Sequence, residues 1–365
     1  MISNITKPMK QDSDISSMFY EAIDLLKAMI SIPSFSREED KVADLIENYI
    51  KNAGYIPHRI GNNVWIKSHT FDNAKPTILL NSHIDTVKPV SAWTKDPFSP
   101  EIEGDYLYGL GSNDAGASVV ALLHSFFILD EKSQDYNLVF AASCEEEVSG
   151  KNGIELMLSE LPKPSFAIVG EPTGMHPAIA EKGLMVLDCI AHGKSGHAAR
   201  NDGENAIYKA INDINWFNTY RFADESELLG PVKMTVTMID AGTQHNVIPD
   251  KCEFVVDVRS NELYSNERLF EIISKHTQSE VKARSFRLNS SNIALENPFV
   301  ERAVIAGRKP YGSPTLSDQA LMPFPSVKMG PGDSSRSHTA NEYILLSEIR
   351  EAIEYYVKLL DGLRI

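Results

Sequence analysis

The sequence lacks the features of secreted, membrane-bound and nucleic-acid-binding proteins. Its 365 residues include only three cysteines. Cys144, Cys189 and Cys252 are widely spaced in apolar, strand-like contexts, which predicts reduced core thiols rather than disulfides or a zinc knuckle. The segment from Met1 to Ser17 is polar without an apolar signal core, and no run of about eighteen apolar residues is uninterrupted. The formal net charge is −15, and no basic run offsets it. These absences predict a cytoplasmic protein without nucleic acid or membrane partners.

The chain does contain enough apolar residues, 42% of the total, for a large core and more than one domain. From Phe19 to Gly183 helical and strand patterns alternate, which is typical of an α/β fold with a mostly parallel sheet. From Leu184 the order becomes strand-helix-strand-strand-helix-strand, that of a ferredoxin-like α+β unit whose last strand is expected at Val281–Leu288. Because α/β patterns then return, we predict a discontinuous α/β domain formed by residues 1–183 and 289–365, with residues 184–288 inserted.

Three predicted strands end in side chains that can bind a metal. Pro76 to Leu80 runs into Asn81-Ser82-His83-Ile84-Asp85, Leu138 to Ser143 runs into Cys144-Glu145-Glu146-Glu147, and Phe166 to Val169 runs into Gly170-Glu171-Pro172. In an open α/β sheet, ligands bind beyond the carboxyl ends of the strands, so these strand ends are expected to converge on one cleft.

Each of these signals also has a simpler interpretation. His83 and Asp85 point to the same side of a strand and suit a metal ligand with its orienting carboxylate, or else a surface or capping pair. Asp114 follows a Gly-rich turn and could bind a metal, or it could be no more than the N-cap of the apolar helix Ala117–Leu129. Consecutive glutamates usually form a solvated face, but cations would relieve their repulsion at a strand end. With His338 in a late Gly-rich loop, the set suits paired Zn²⁺ or similar ions bridged by one carboxylate.

Together these residues resemble the zinc-dependent amidohydrolases that include aminoacylase, acetylornithine deacetylase, succinyl-diaminopimelate desuccinylase and glutamate carboxypeptidase. The resemblance covers almost the whole chain, and it also rests on the segments Trp93–Phe98, Tyr106–Asp114, Ser195–His197 and His338–Glu342. The fold that it implies is a mostly parallel-sheet catalytic domain with an inserted ferredoxin-like dimerisation domain.

The resemblance implies a role for each candidate residue. One metal ion would be held by His83, Asp114 and Glu171, and the other by Asp114, Glu147 and His338, with Asp114 bridging. Asp85 would orient His83, Glu146 would be the general base, and the peptide bond from Asp114 to Ala115 would be cis. The register within the glutamate triplet stays open by one residue.

The inserted domain contributes three further candidates. By resemblance, His197 and Asn246 would reach the neighbouring subunit's cleft in a homodimer built through residues 184–288 and would donate to the developing oxyanion and the substrate. Arg259, at a strand end, would bind a substrate carboxylate. Without the resemblance, the first two residues are ordinary polar loop residues and Arg259 forms a strand-end ion pair.

The implied function is a metal-dependent amidohydrolase that removes the acyl group from an N2-acyl diamino acid. The turn Gly170–Thr173 and the junction Glu181–Gly183 most resemble the biosynthetic deacylases, of which an N-acetylornithine deacetylase of arginine biosynthesis is the first choice. Two zinc ions, or cobalt, are the expected cofactors, and a small N-acyl amino acid is the expected partner. A succinyl-amino-acid desuccinylase and a dipeptidase are alternatives. A catalytically inactive metal-binding protein is another, which the intact Glu146 disfavours.

Overall fold

The computed structural model describes residues 11–200 and 202–365. Its α-helices are α1 (Gln11–Ile30), α2 (Asp40–Asn52), α3 (Ala117–Asp130), α4 (Ile154–Met157), α5 (Ala206–Thr219), α6 (Asn266–His276), α7 (Pro298–Ile305) and α8 (Leu346–Leu360). Its strands are β1 (His58–Ile60), β2 (Asn63–Lys67), β3 (Thr77–His83), β4 (Glu101–Glu103), β5 (Tyr106–Tyr108), β6 (Asn137–Ser143), β7 (Phe166–Val169), β8 (Ala178–Glu181), β9 (Met185–His192), β10 (Gly196–His197), β11 (Lys233–Ala241), β12 (Val247–Ile248), β13 (Lys251–Arg259), β14 (Glu280–Ala283), β15 (Ser291–Asn292), β16 (Tyr311–Ser313), β17 (Ser326–Lys328) and β18 (Tyr343–Leu345).

The chain divides into two compact units. Unit 1 comprises Met1–Ile179, Ile293–Tyr311 and Ser317–Ile365, and unit 2 comprises Ala180–Asn292 and Gly312–Leu316. The mixed α/β class, with a mostly parallel central sheet and an α+β insert, is the fold predicted from the sequence.

The central sheet of unit 1 brings the predicted strand ends together. Its strands run in the order β1-β2-β6-β3-β7-β17, and β3 is parallel to both neighbours, β6 and β7. His83 pairs with Ser143, and Asn81 pairs with Val169. The polar segments that follow these strands therefore leave the sheet at the same edge.

Helix α3 forms the centre of the core of unit 1. It packs against α1, α8 and β3, and every residue from Ala117 to Leu129 is buried. A helix that is apolar all round belongs in such an interior. By length and composition Ser112–Asp130 could cross a membrane, but 94% of this stretch is buried inside the protein. The burial identifies it as a core helix. The three cysteines are likewise buried and unpaired, as predicted.

Unit 2 has a four-stranded antiparallel sheet in the order β11-β13-β9-β14, with α5 packed on it. The predicted last strand, Val281–Leu288, is wrong in extent, because β14 ends at Ala283. The buried Asn266 side chain donates to the carbonyls of Phe286 (3.2 Å) and Leu288 (2.8 Å). The Phe286 carbonyl therefore bonds to a side chain, and the Leu288 carbonyl accepts the same side chain together with the Leu184 N–H (2.9 Å). The regular ladder ends at Ala283, although the alternating apolar residues alone suggest a longer strand.

A single buried histidine in α3 couples the stability of unit 1 to pH. His124 Nδ1 lies 2.7 Å from the Val120 carbonyl, and Nε2 lies 2.8 Å from the Tyr49 hydroxyl. A carbonyl only accepts, so Nδ1 carries the proton and Nε2 accepts from Tyr49. Burial lowers the pKa of His124 from 6.5 to about 4, although the bond to the Val120 carbonyl opposes this shift.

We predict that His124→Gln removes part of the acid sensitivity of the fold. The unfolded chain binds this proton at a higher pH than the folded chain, so the stabilisation is complete above the unfolded pKa and is lost as the pH falls toward the folded value. Between about pH 7.5 and about pH 5, the free energy of unfolding should fall about 2 kcal/mol further in the wild type than in the variant. Urea unfolding followed by circular dichroism measures this difference.

The matched control is His276→Gln. His276 makes the same bond to the carbonyl four residues earlier, Ile272 (2.8 Å), but it lies at the exposed end of α6. This control should keep the wild-type pH dependence. Equal slopes for the wild type and His124→Gln would contradict the argument.

Candidate metal centre

The first group of ligand-type atoms surrounds the end of β3. His83 is buried, and its Nε2 lies 3.2 Å from Asp114 Oδ1 and 3.8 Å from Glu171 Oε1. Glu171 follows β7, the neighbour of β3 in the sheet. One ligand atom from each of these three residues lies within 4.8 Å of the others. These are the residues expected to hold one ion.

The second group shares Asp114 with the first. His338 Nε2 lies 3.0 Å from Glu147 Oε2 and 3.7 Å from Asp114 Oδ2, and one ligand atom from each residue lies within 4.8 Å of the others. The Oδ1 atom of Asp114 thus faces His83 while its Oδ2 atom faces His338. His338 differs from the other ligand-type side chains because 54% of it is exposed.

Asp85 contacts both His83 and the turn that carries the glutamates. The Nδ1 atom of His83 lies 2.9 Å from the backbone carbonyl of Asp85 and 3.5 Å from its carboxylate, so the carbonyl is the closer partner. The carboxylate instead accepts the Ser36 hydroxyl (2.7 Å) and the backbone N–H groups of Glu146 (3.0 Å) and Glu147 (3.1 Å). Asp85 therefore holds both the glutamate turn and the imidazole of His83 in place through hydrogen bonds.

The three consecutive glutamates point in different directions. Glu145 has a positive φ of 56°, and its carboxylate accepts the side-chain amide of Asn152 (2.8 Å). A side chain at Gly150 would collide with that carboxylate, since a Cβ there would lie 1.8 Å from Glu145 Oε2. Glu147 faces His338, and the charges of Glu147 and Glu171 act on Glu146. This geometry favours Glu146 as the base and Glu147 as the ligand, the register adopted from the sequence.

The centre holds more negative charge than its two imidazoles balance. Burial raises the pKa of Glu171 to about 8, and the charges of Asp114 and Glu147 act in the same direction. Burial and the charge of Glu171 raise the pKa of Glu146 well above its usual value. The hydrogen bond to Glu147 raises the pKa of His338 to about 9. These shifts show carboxylates whose mutual repulsion a cation would relieve.

The chemistry of these side chains fits divalent ions. Imidazole nitrogens with carboxylate oxygens are the donors that zinc and related ions take. The Glu171 Oε1 atom is buried and has no hydrogen-bond partner within residues 11–200 and 202–365. A buried acceptor without a donor is costly, and a bound cation would satisfy it.

Asp114 does not cap the helix that follows it. The N-cap of α3 is Gly116, which makes no side-chain capping bond. The preceding residues, Ser112–Gly116, form an irregular π-type turn in which Asp114 has φ −122° and ψ 96°. The peptide bond from Asp114 to Ala115 is cis, as expected from the family resemblance. The capping interpretation of Asp114 is therefore wrong, and its carboxylate faces the two histidines.

Glu342 contributes to the centre although the sequence analysis assigned it no role. It is buried, and its carboxylate accepts the backbone N–H groups of Gly111 (3.1 Å), Asn113 (2.8 Å) and Asp114 (2.9 Å). The available signals were its place in the segment His338–Glu342, which contributes to the family resemblance, and its position four residues after His338. Nothing in that spacing indicates that the side chain turns back to a segment more than 200 residues earlier.

The remaining candidates lie in unit 2. His197 pairs with Val247 across β10 and β12, and Asn246 accepts the Ala198 N–H at 3.0 Å, so His197 and Asn246 are neighbours. Arg259 binds Asp257, two residues earlier on its own strand, through two bonds of 2.8 and 3.0 Å. The strand-end ion pair considered as its alternative therefore exists, and a substrate role for Arg259 stays a prediction.

Known proteins are similar to this chain in sequence. Residues 79–362 match the sequence model of peptidase family M20/M25/M40. A putative succinyl-diaminopimelate desuccinylase of Mycobacterium tuberculosis is 28% identical over 361 residues, covering 94% of this chain and 98% of that protein. The LysW-lysine/LysW-ornithine hydrolase of Sulfurisphaera tokodaii is 28% identical over 354 residues, covering 93% of this chain and 95% of that protein.

A solved structure shows the same fold. The YXEP protein of Bacillus subtilis, described as a dinuclear metal binding peptidase from the M20 family, superposes with a TM-score of 0.72 at 17% identity. The superposition covers 94% of this chain and 98% of that one. Because the family match spans most of the sequence, the chain belongs to peptidase family M20/M25/M40 and is a hydrolase that acts on amide bonds.

Proposed function

We propose that unit 1 binds two divalent metal ions and uses them to remove the acyl group from an N-acyl diamino acid. The observation that carries this proposal is the carboxylate of Asp114, whose two oxygens face two separate ligand groups. A carboxylate placed in this way suits a bridge between paired ions.

The two groups would hold zinc, with cobalt as a substitute, because imidazole and carboxylate donors suit both ions. Ions bound there would supply Lewis-acid chemistry, which polarises an amide carbonyl and makes water more acidic. His83, Asp114 and Glu171 would hold one ion, and Asp114, Glu147 and His338 would hold the other.

Glu146 is proposed to move the proton. It is not a member of either ligand group, yet it lies beside them, since its pKa responds to Glu171, His83 and Glu147. Its carboxylate would take a proton from the attacking water as the new C–O bond forms. It would then return that proton to the amine nitrogen as the C–N bond breaks.

The names of the relatives bear on the substrate. Diaminopimelate, lysine and ornithine, which occur in the names of the two relatives, are all diamino acids. We therefore propose an N-acyl diamino acid, with N-succinyl-diaminopimelate as the first choice. N-Acetylornithine, which the sequence favours through the turn Gly170–Thr173, is the second candidate.

The inserted domain is proposed to complete the cleft of a second subunit. His197 is exposed, and its Nδ1 accepts the Ala199 N–H at 3.1 Å. In the neutral ring the proton then lies on Nε2, which leaves that nitrogen able to donate to an oxyanion. The neighbouring Asn246 is also exposed. In a homodimer formed through residues 184–288, both residues would lie at the cleft of the neighbouring subunit.

We predict that the purified protein releases free amine from N-succinyl-diaminopimelate faster than from N-acetylornithine, acetyl-lysine or succinyl-ornithine. Dialysis against a chelator should abolish the release, and added zinc or cobalt should restore it. The measurement is amine release with metal content determined on the same samples. Full activity in a verified metal-free preparation would refute the metal proposal, and a preference for acetylornithine would select the second candidate substrate.

We predict that Glu146→Gln keeps its bound metal but lowers turnover by about 10²- to 10⁴-fold, the usual contribution of a general base. The matched control is Glu145→Gln, because the Glu145 carboxylate bonds to Asn152 and belongs to neither ligand group. The control should retain turnover within about tenfold. If Glu145→Gln loses the activity instead, or if Glu146→Gln loses metal, the register of the triplet must shift by one residue.

We predict that His197→Ala lowers turnover without removing metal, because this residue would act in the partner's cleft. Co-expression of His197→Ala with Glu146→Gln should regenerate activity. Each heterodimer would contain one cleft with an intact base and an intact histidine from the other subunit. Differently tagged chains allow the heterodimer to be isolated before the assay.

The matched control for this complementation is co-expression of His197→Ala with His197→Ala,Glu146→Gln. Its heterodimers contain no intact histidine and should stay inactive. A failure to recover activity in isolated heterodimers of the first pair would show that His197 serves its own subunit's cleft or none.

A further inference from the structure

We propose that Glu342 is a positioning residue that holds Asp114 in the one orientation able to serve both ligand groups. The inference rests on the proposed metal centre, but it concerns the shape of that centre rather than its chemistry. Glu342 itself belongs to neither ligand group.

The carboxylate of Glu342 binds the backbone on which Asp114 is carried. Oε1 accepts the N–H groups of Asn113 (2.8 Å) and Asp114 (2.9 Å), and Oε2 accepts the N–H of Gly111 (3.1 Å). Only 2% of Glu342 is exposed, so water does not readily replace it there. Buried N–H groups need acceptors, and this one side chain supplies an acceptor to three of them.

The turn needs such support because it is irregular. Asp114 and Ala115 depart from helical backbone angles inside Ser112–Gly116, and Gly111 has a positive φ of 74°. Close packing limits the turn further, since a Cβ on Gly111 would lie 2.6 Å from the Thr86 side chain. An acceptor that bonds successive N–H groups from outside therefore sets the direction in which the Asp114 side chain leaves the backbone.

The same contacts join Asp114 to the loop that carries His338. Glu342 lies at the end of that loop, and from the opposite side the Asn113 side chain accepts the Asp333 N–H (3.0 Å) and donates to the Ser337 hydroxyl (3.3 Å). The side chains of Glu342 and Asn113 thus both connect the turn to the loop. A shift of Glu342 would change the separation of Asp114 and His338. The second ligand group, which contains both residues, would therefore be the first to be distorted.

A positioning role and a purely electrostatic role of Glu342 predict opposite effects for two conservative variants. Glu342→Gln keeps the length and an oxygen acceptor for the Asn113 and Asp114 N–H groups, but it places an NH2 donor opposite the Gly111 N–H and removes the negative charge. Glu342→Asp keeps the charge but withdraws the carboxylate by one methylene group. A positioning role requires the Asp variant to bind metal worse than the Gln variant, whereas a purely electrostatic role requires the reverse.

The test is zinc binding to the metal-free protein, measured by competition with a chromophoric chelator. We expect Glu342→Asp to weaken the binding of at least one ion by about 10- to 100-fold, the usual effect of losing a residue that orients ligands. Glu342→Gln should weaken it by less than about tenfold. Thermal unfolding of each metal-free variant shows that the comparison is made on folded protein.

The matched controls are Glu354→Gln and Glu354→Asp, which change an exposed glutamate on α8. Both should bind zinc like the wild type. Wild-type affinity in both Glu342 variants, or weaker binding by Gln than by Asp, would overturn the positioning role while leaving the metal centre intact. A wild-type protein that binds no zinc, cobalt or manganese would overturn the proposed function together with this inference.

Discussion

Electrostatic repulsion among carboxylates is the constraint on which the rest of this structure depends. Asp114, Glu146, Glu147 and Glu171 meet at one edge of the sheet, where His83, His338 and the charge of Lys328 balance them in part. Two like charges about 4 Å apart repel by about 4 kcal/mol at an effective dielectric constant of about 20. The fold holds them together because they are attached to three packed segments: Asp114 lies in the turn before α3, Glu146 and Glu147 follow β6, and Glu171 follows β7. Two of those segments follow parallel strands whose residues are all buried, and His83 ends a third such strand.

The carboxylates of this region divide into two classes by what they accept. Asp85 and Glu342 accept backbone N–H groups, and each thereby fixes the conformation of a segment that carries candidate ligands. Asp114 and Glu147 instead face imidazoles, and Glu171 has a buried oxygen without a hydrogen-bond donor. Carboxylates that support the backbone are thus distinguished from those left available to a cation. The cluster therefore contains two kinds of acidic residue, and the degree of burial alone would not distinguish one kind from the other.

The parts of the site that could be predicted are those that depend on local pattern. The apolar runs before His83, the glutamate triplet and Glu171 identify strands, and parallel strands necessarily bring such ends to one edge. The supporting contacts of Asp85 and Glu342 could not be predicted, because they join backbone groups to side chains far away in sequence. The end of β14 was missed for the same reason, since the Asn266 amide, which lies far away in sequence, donates to the Phe286 and Leu288 carbonyls. The ion pair of Arg259 could be predicted, because its partner Asp257 lies only two residues earlier on the same strand.

The exposure of His338 gives the two ligand groups different access to solvent. Its side chain is 54% exposed and lies on a loop residue with a positive φ of 59°, whereas His83 is 1% exposed at the end of a central strand. An ion held through His338 would exchange with the medium along a short path. An ion held through His83 would leave only after buried groups had moved. If two ions bind as proposed, the ion held through His338 would therefore exchange faster than the ion held through His83.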